Sequence, residues 1–249
     1  MNIQNINEIE KFSKPIVAIH QPNFLPWTGY FHKMALADKF IFLDNVPFSK
    51  NSLQNRNKIL TSQGVRWLTV PVLTKHRSGQ ITSDVEINNQ ITWKKKHLKS
   101  IESAYGKVKW FKRYYALLRE IYLCDYNKLI DLNVALLIWI VNLLEINTKI
   151  YTASQMIADC NDANERLIAL IQSVEGRTYL SGQGGKKYIN IKHFRKNEIS
   201  SVFHKFVSHS YNQVWSDEFV AGLSILDVIF NLGDNAGEWF KQHLVGIRG

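Results

Sequence analysis

Residues 20–31 of the chain read HQPNFLPWTGYF, placing His20, Gln21, Asn23 and Tyr30 within eleven positions. An unperturbed imidazole titrates near neutrality, so His20 is suited to take a proton from a reacting group. Gln21, Asn23 and Tyr30 carry donors that could face an oxyanion or a sugar hydroxyl. Pro22 and Pro26 fix their own φ and bias the residues before them toward extended backbone. The loop is therefore stiff, which adds little to a connector but holds polar side chains in place. Gly29 allows close backbone approach at the start of the helix that follows, and helix N-termini accept phosphate readily. A lone histidine would read as a structural residue; the density of these residue types points to a site.

Three further stretches carry chemistry. Residues 43–59, LDNVPFSKNSLQNRNKI, bring Asp44, Lys50, Gln54, Asn55 and Arg56 into one polar connection. Lys50 and Arg56 could hold a diphosphate, arginine with a planar fork. A solvated turn would account for some of the asparagines, but less well for the run Gln54, Asn55, Arg56. Residues 178–189, TYLSGQGGKKYI, place Ser181, Gly182, Gly184 and Gly185 after a strand. Amides freed by glycine can cradle phosphate, although the Walker spacing is absent. Near the end, Tyr211 and Gln213 of HSYNQVW are read as facing the cleft. Asp227 sits in an apolar helix, where a carboxylate is either paired or functional. The histidines are scattered without ligand spacing, so no metal site is expected.

The elements that must position these residues alternate. IVAI (residues 16–19) and FIFLD (40–44) are continuous apolar runs, as in strands buried on both faces. GYFHKMALAD between them has helical spacing, giving the strand–helix–strand unit of a parallel sheet. Residues 65–73 and 84–87 read as further strands. Three helices follow, at about 91–105, 108–123 and 128–144, the last apolar almost all round and so internal. Strands return at 149–154, 178–182 and 199–206. A helix lies between the first two, capped by Asn161 or Asp162, and helices over 223–233 and from about 235 close the chain. The expectation is an α/β fold with a mostly parallel, Rossmann-like sheet flanked by helices. Residues 15–233 would form a single domain with a helical insertion at about 90–146, and residues 234–249 a helical tail.

Composition bounds the alternatives. The chain has 249 residues and a net charge of +10, so its surface attracts anions. WKKKHLK (93–99) is the densest basic cluster and reads as a solvated helix face. No zinc-finger spacing, helix-turn-helix or RNA-binding signature is present, which argues against specific nucleic-acid binding. Cys124 and Cys160 form no C-x-x-C pair, so a disulfide framework is not expected. No run reaches the roughly 18 apolar residues of a membrane span. The first residues lack a signal-peptide pattern, and the expected location is cytoplasmic.

The blocks HQPNFLPWTGYFHKM, FLDNVPFSKNSLQNRNKI, WLTVPV, TYLSGQGGKKYI, YNQVW and LSILDVIFNLG, in this order, resemble those of the WbqC-like proteins. The resemblance runs from Val17 to about Gly233. It departs in the glycine loop, where Gln183 stands in place of a common proline and should loosen the turn. It implies a role in O-antigen or other surface-polysaccharide (lipopolysaccharide) biosynthesis. The implied substrate is a nucleotide-linked sugar, often an amino-deoxy sugar awaiting N-acylation or aminoacylation. The leading expectation is a transferase forming an amide on such a sugar, with His20 as general base. Its acyl donor would be a thioester of coenzyme A or of an acyl carrier protein, used as co-substrate, with no cofactor required. A second expectation is ATP- and magnesium-dependent nucleotidyl transfer or ligation, because His20 and Gly29-Tyr30 are similar to the H-x-G-H nucleotidyltransferases. Tyr30 there replaces the second histidine that stabilises phosphate charge. A third is a non-catalytic sugar-nucleotide-binding protein.

Overall fold

The computed structural model describes residues 1–75, 77–156, 160 and 162–245. Along the chain run β1 (Asn2–Ile3), α1 (Ile6–Ile9), β2 (Ile16–His20), α2 (Thr28–Ala35) and β3 (Lys39–Phe42). A hairpin follows, β4 (Arg56–Thr61) and β5 (Gly64–Thr69), then three helices, α3 (Trp93–Tyr105), α4 (Phe111–Leu123) and α5 (Leu129–Leu143). The second half contains β6 (Lys149–Thr152), α6 (Ala163–Ser173), β7 (Thr178–Gly182), α7 (Ile191–Lys196) and β8 (Ser200–His204). The last helices are α8 (Ile225–Leu232) and α9 (Ala236–Val245).

Six strands form one sheet in the order β1-β8-β7-β2-β3-β6, and every neighbouring pair is parallel. The fold is α/β and Rossmann-like. The apolar runs explain the layering, since alternate side chains of a strand point to opposite faces. Ile16 and Ala18 of β2 enter one core, with residues of α2, α5, α8 and α9, while Val17 and Ile19 enter the other, with α6 and α7. From β2 the chain steps outward through β3 to β6, then returns to the other side of β2 as β7 and β8. The order therefore reverses between β2 and β7. That switch point, at the carboxyl ends of the strands, is where open α/β sheets bind ligands.

Several elements differ from the sequence expectation. The polar connection after β3 ends at Arg56, where β4 begins and pairs antiparallel with β5 outside the main sheet. RNKILT and GVRWLT alternate strongly enough to form a hairpin, turned at Gly64 with φ +87. Residues 84–87 are no strand: a 3-10 turn at Thr82–Asp84 leads into isolated bridges. The strand β1 and the helix α7 went unread because each is too short for a periodicity. Asp162 caps α6 by accepting from the amides of Asn164 and Glu165, while Asn161 lies outside the described residues, as do 246–249 of the expected tail. Among the described residues no helix is long and apolar enough to cross a membrane.

Candidate functional site

His20 is the last residue of β2, half-buried at the carboxyl edge of the sheet. Its Nδ1 lies 3.1 Å from the carbonyl oxygen of Gln21. A carbonyl can only accept, so Nδ1 carries the proton and Nε2 keeps its lone pair. The Tyr30 hydroxyl donates to the same carbonyl at 3.1 Å, and its ring meets the His20 ring edge-on at 4.9 Å. Tyr30 is fully buried on α2. Trp27 stands on a third side of the imidazole, its ring 6.4 Å away. Gly29 is required here, because a Cβ would come within 2.5 Å of the Trp27 indole nitrogen and 2.8 Å of Phe206. The close approach at this glycine is thus made by the protein's own aromatic rings.

The loop behind His20 is held in an unusual backbone. Leu25, directly before Pro26, has φ +42, a region L-residues rarely occupy. Its carbonyl accepts from Asn57 Nδ2 at 2.6 Å. Asn133, buried in apolar α5, donates to the Pro22 carbonyl at 2.9 Å and the Gln54 carbonyl at 2.8 Å. One amide thereby ties the first loop to the second. Asn23 is 3 % exposed.

At the switch point the sheet opens. β2 pairs with β7 only through Ile16–Ala18 against Thr178–Leu180. Yet β2 keeps pairing with β3 to His20↔Phe42, and β7 with β8 to Gly182↔His204. Carbonyls along a strand alternate in direction. Those of Ile16 and His20 accept from β3-side amides, at Asp38 and Leu43, so that of Ile19 faces β7. No strand amide is registered against it. Instead Lys33 of α2 donates its Nζ there at 3.0 Å. Lys33 is 2 % exposed, and its ammonium also stands 5.7 Å from the centre of the Phe40 ring.

A histidine pair flanks the opening. His32 Nε2 faces the His243 carbonyl at 3.3 Å and so carries its proton, leaving Nδ1 to accept from His204 Nε2 at 2.9 Å. Burial and the Lys33 charge lower the His20 pKa to about 3, against a weaker raising effect of its bond to Gln21. Burial lowers Lys33 to about 7. Burial brings His32 to about 4 and, with the charges of His32, Lys33 and His20, His204 to about 2. At neutral pH the three imidazoles are uncharged. Burial and His243 also lower His209, whose ring stacks near that of His243 at 4.0 Å.

The remaining expected residues divide. Ser181, Gly182, Gly184 and Gly185 lie at the end of β7 and in the 3-10 turn Gln183–Lys187, on the same sheet edge as His20. Gly185 is tight, since a Cβ would meet Ser181 Oγ at 2.1 Å, whereas Gly182 and Gly184 have open space. Asp44 is 2 % exposed and accepts from the Ser154 amide at 2.9 Å and hydroxyl at 2.6 Å, fastening the end of β6. Gln54 and Asn55 are buried, Asn55 donating to the Val70 carbonyl at 3.0 Å. Lys50 is exposed and bonds Thr74 Oγ1 at 3.2 Å. Arg56 opens the hairpin and stacks on Trp67, 4.3 Å from the ring. Gln213 and Tyr211 turn onto Asp227, donating at 2.8 and 2.7 Å, and Tyr105 donates to its other oxygen at 2.8 Å. Asp227 is therefore paired. Sequence reasoning missed Lys33, His32 and His204. The first two share a helical stretch read only for its apolar face, and His204 ends a strand read only for its apolar residues.

Cavities lie elsewhere in the fold. One of about 640 Å³, lined by Lys14, Asp38 and Lys149, sits at the opposite edge of the sheet; another of about 1010 Å³ lies between α3 and α4. Neither contains a comparable set of perturbed titratable groups. Among the described residues no three His, Cys, Asp or Glu side chains are grouped to hold a metal ion.

A Rossmann-like sheet with basic, largely uncharged side chains at its switch point defines an α/β protein with a candidate site at the strand ends. The chain belongs to the WbqC-like protein family, whose model matches residues 21–238. It is 34 % identical over 228 residues to Uncharacterized protein Rv1507c of Mycobacterium tuberculosis (strain ATCC 25618 / H37Rv), covering 90 % of this chain and 97 % of the relative. No solved structure matches.

Proposed function

We propose that the protein is a transferase of surface-polysaccharide (O-antigen) biosynthesis that forms an amide on a nucleotide-linked amino sugar. The observation that carries the reading is the His20 imidazole at the switch point, neutral, with Nδ1–H fixed on the Gln21 carbonyl and Nε2 left as a base. The sugar amine attacks the carbonyl carbon of a thioester. The C–N bond forms, the amine proton passes to His20 Nε2, the C–S bond breaks, and the thiolate takes the proton from His20. The buried amide of Asn23 is a donor for the tetrahedral oxyanion. Tyr30 positions His20 through their shared acceptor.

A base with so low a pKa is weak. Its depression is partly the work of the Lys33 charge, so an anionic substrate beside Lys33 strengthens it at the moment of use. The test is amide formation from UDP-linked amino sugars with acyl-coenzyme A or acyl-carrier donors. Product with a thioester supports the reading. ATP consumption with magnesium, and no thioester use, replaces it by the ligase reading. Sugar-nucleotide binding with no turnover under either condition replaces it by a binding protein.

A further inference from the structure

Gly182 occupies a particular place in the opened sheet. It is level with His204 on β8, and Leu180, two residues before it, is level with Ala18 on β2. β2 and β7 part after that pair, so His20, two residues past Ala18, stands across the opening from the end of β7. Side chains two apart on a strand share a face. Ala18, Leu180 and Val202 all enter the same core, so the paired Gly182 and His204 lie on that face, and His20 lies on it at the end of β2. His20 and His204 carry imidazoles and Gly182 carries no side chain. Nothing lies within 4 Å of the point where a Gly182 Cβ would stand. Lys33 reaches the same gap from α2 and donates to Ile19.

The groups around this space are basic. None of the ion pairs among the described residues includes Lys33, His20, His32 or His204. A buried amine with no counter-charge is costly, and a fold that keeps one has a use for it. A cationic ligand would meet the Lys33 charge.

We propose that the space over Gly182, between Lys33 and His204, binds a phosphoryl group, with Lys33 supplying the charge. This rests on the transferase reading only in naming the diphosphate of a nucleotide-linked sugar as the occupant. Lys50 and Arg56 are engaged with Thr74 and Trp67, and the proposal does not call on them. An anion here favours the charged form of Lys33, so binding takes up protons.

The test is calorimetric titration of the full chain with inorganic pyrophosphate, UDP and uridine at pH 7, in two buffers of different ionisation enthalpy. The subsite predicts that pyrophosphate and UDP bind and uridine does not. Tighter binding of UDP marks a nucleotide occupant; equal binding marks a free phosphate. Lys33→Met should weaken pyrophosphate roughly 10–100-fold, the worth of a charged hydrogen bond. Gly182→Ala should weaken it comparably by filling the space, with melting changed by no more than about 2 °C, because its φ of −71 suits alanine and the space is open. Lys95→Met, on the surface of α3, should change nothing. Binding should take up roughly half a proton or more, since Lys33 is half-charged near pH 7. That uptake is measured on the unaltered protein, so it holds even where a variant misfolds. No pyrophosphate binding, no proton uptake, or equal affinity in Lys33→Met and Gly182→Ala overturns the proposal. Failure of amide formation with phosphoryl binding intact would remove the transferase reading and leave this subsite standing.

Discussion

His20 and Tyr30 share one acceptor, the Gln21 carbonyl, each at 3.1 Å, and their rings meet edge-on. The shared oxygen fixes both the tautomer and the tilt of the imidazole. Tyr30→Phe removes one donor and keeps the ring. The expected cost is about 1 kcal/mol of stability, the net worth of a neutral hydrogen bond. Under the transferase reading, kcat should fall several-fold with KM nearly unchanged, since a freer imidazole is less often aligned. Equal kcat in variant and parent would show that Tyr30 only fills space.

His20→Asn keeps a hydrogen-bonding side chain and removes the basic nitrogen. Loss of general-base assistance is expected to lower turnover about 10²–10⁴-fold, with substrate affinity and melting retained. Folding should survive because the loop is held by Pro22, Pro26 and the Asn133 amide rather than by the imidazole. The measurement is steady-state kinetics beside thermal melting. Full turnover in the variant would move the base elsewhere.

The sheet was legible in the chain because its strands are buried on both faces. The runs at 16–19 and 40–44 needed no partner to be recognised. β4 was not legible, because Arg56, Asn57 and Lys58 look like the continuation of a polar loop until the partner GVRWLT is set beside them. The first loop was legible by density, and Gly182 by its position after a strand. Lys33 was not. Its aliphatic stem sits in a helix whose outer face ordinarily carries lysines, and nothing local says that α2 turns it toward Ile19. The bonds of Tyr211 and Gln213 to Asp227 were not legible either, although Tyr211 also lines a small pocket with Trp27 and His209. Direction of a side chain is a tertiary fact.

Stability should fall as pH drops from about 6.5 toward 3. His20, His32 and His204 have folded-state pKa values below the ordinary 6.5, at about 3, 4 and 2. Between those values and 6.5 the unfolded chain binds more protons, so acid favours unfolding. Lys33, lowered to about 7 from 10.5, acts with the same sign at higher pH, and stability from this group rises between pH 7 and 10. Urea midpoints from pH 4 to 10 check both limbs. In Lys33→Met the upper limb should flatten while the acid limb remains. An upper limb unchanged in that variant would assign the rise to other groups.

Asp227 receives the hydroxyls of Tyr105 and Tyr211 and the amide of Gln213, so three donors depend on one carboxylate. Desolvation raises its pKa while these three bonds work against the rise. Asp227→Ala strands the two tyrosine hydroxyls and one of the bonds of the Gln213 amide, which still donates to the Val220 carbonyl. Each such group costs about 1–3 kcal/mol when left unpaired, so a loss of roughly 3–5 kcal/mol is expected, allowing for relaxation and water entry. Asp227→Asn should cost less, because the amide oxygen still accepts while its NH₂ competes with a donor. Tyr211→Phe removes a single donor and should cost about 1 kcal/mol. Phosphoryl binding at Gly182 should be untouched by Tyr211→Phe, since Tyr211 packs against Phe219 and Trp239 with its hydroxyl turned onto Asp227. Denaturant melts, read beside pyrophosphate titrations on the same samples, separate the two roles. A Tyr211→Phe variant that keeps its stability and loses pyrophosphate affinity would place the tyrosine in the ligand site after all.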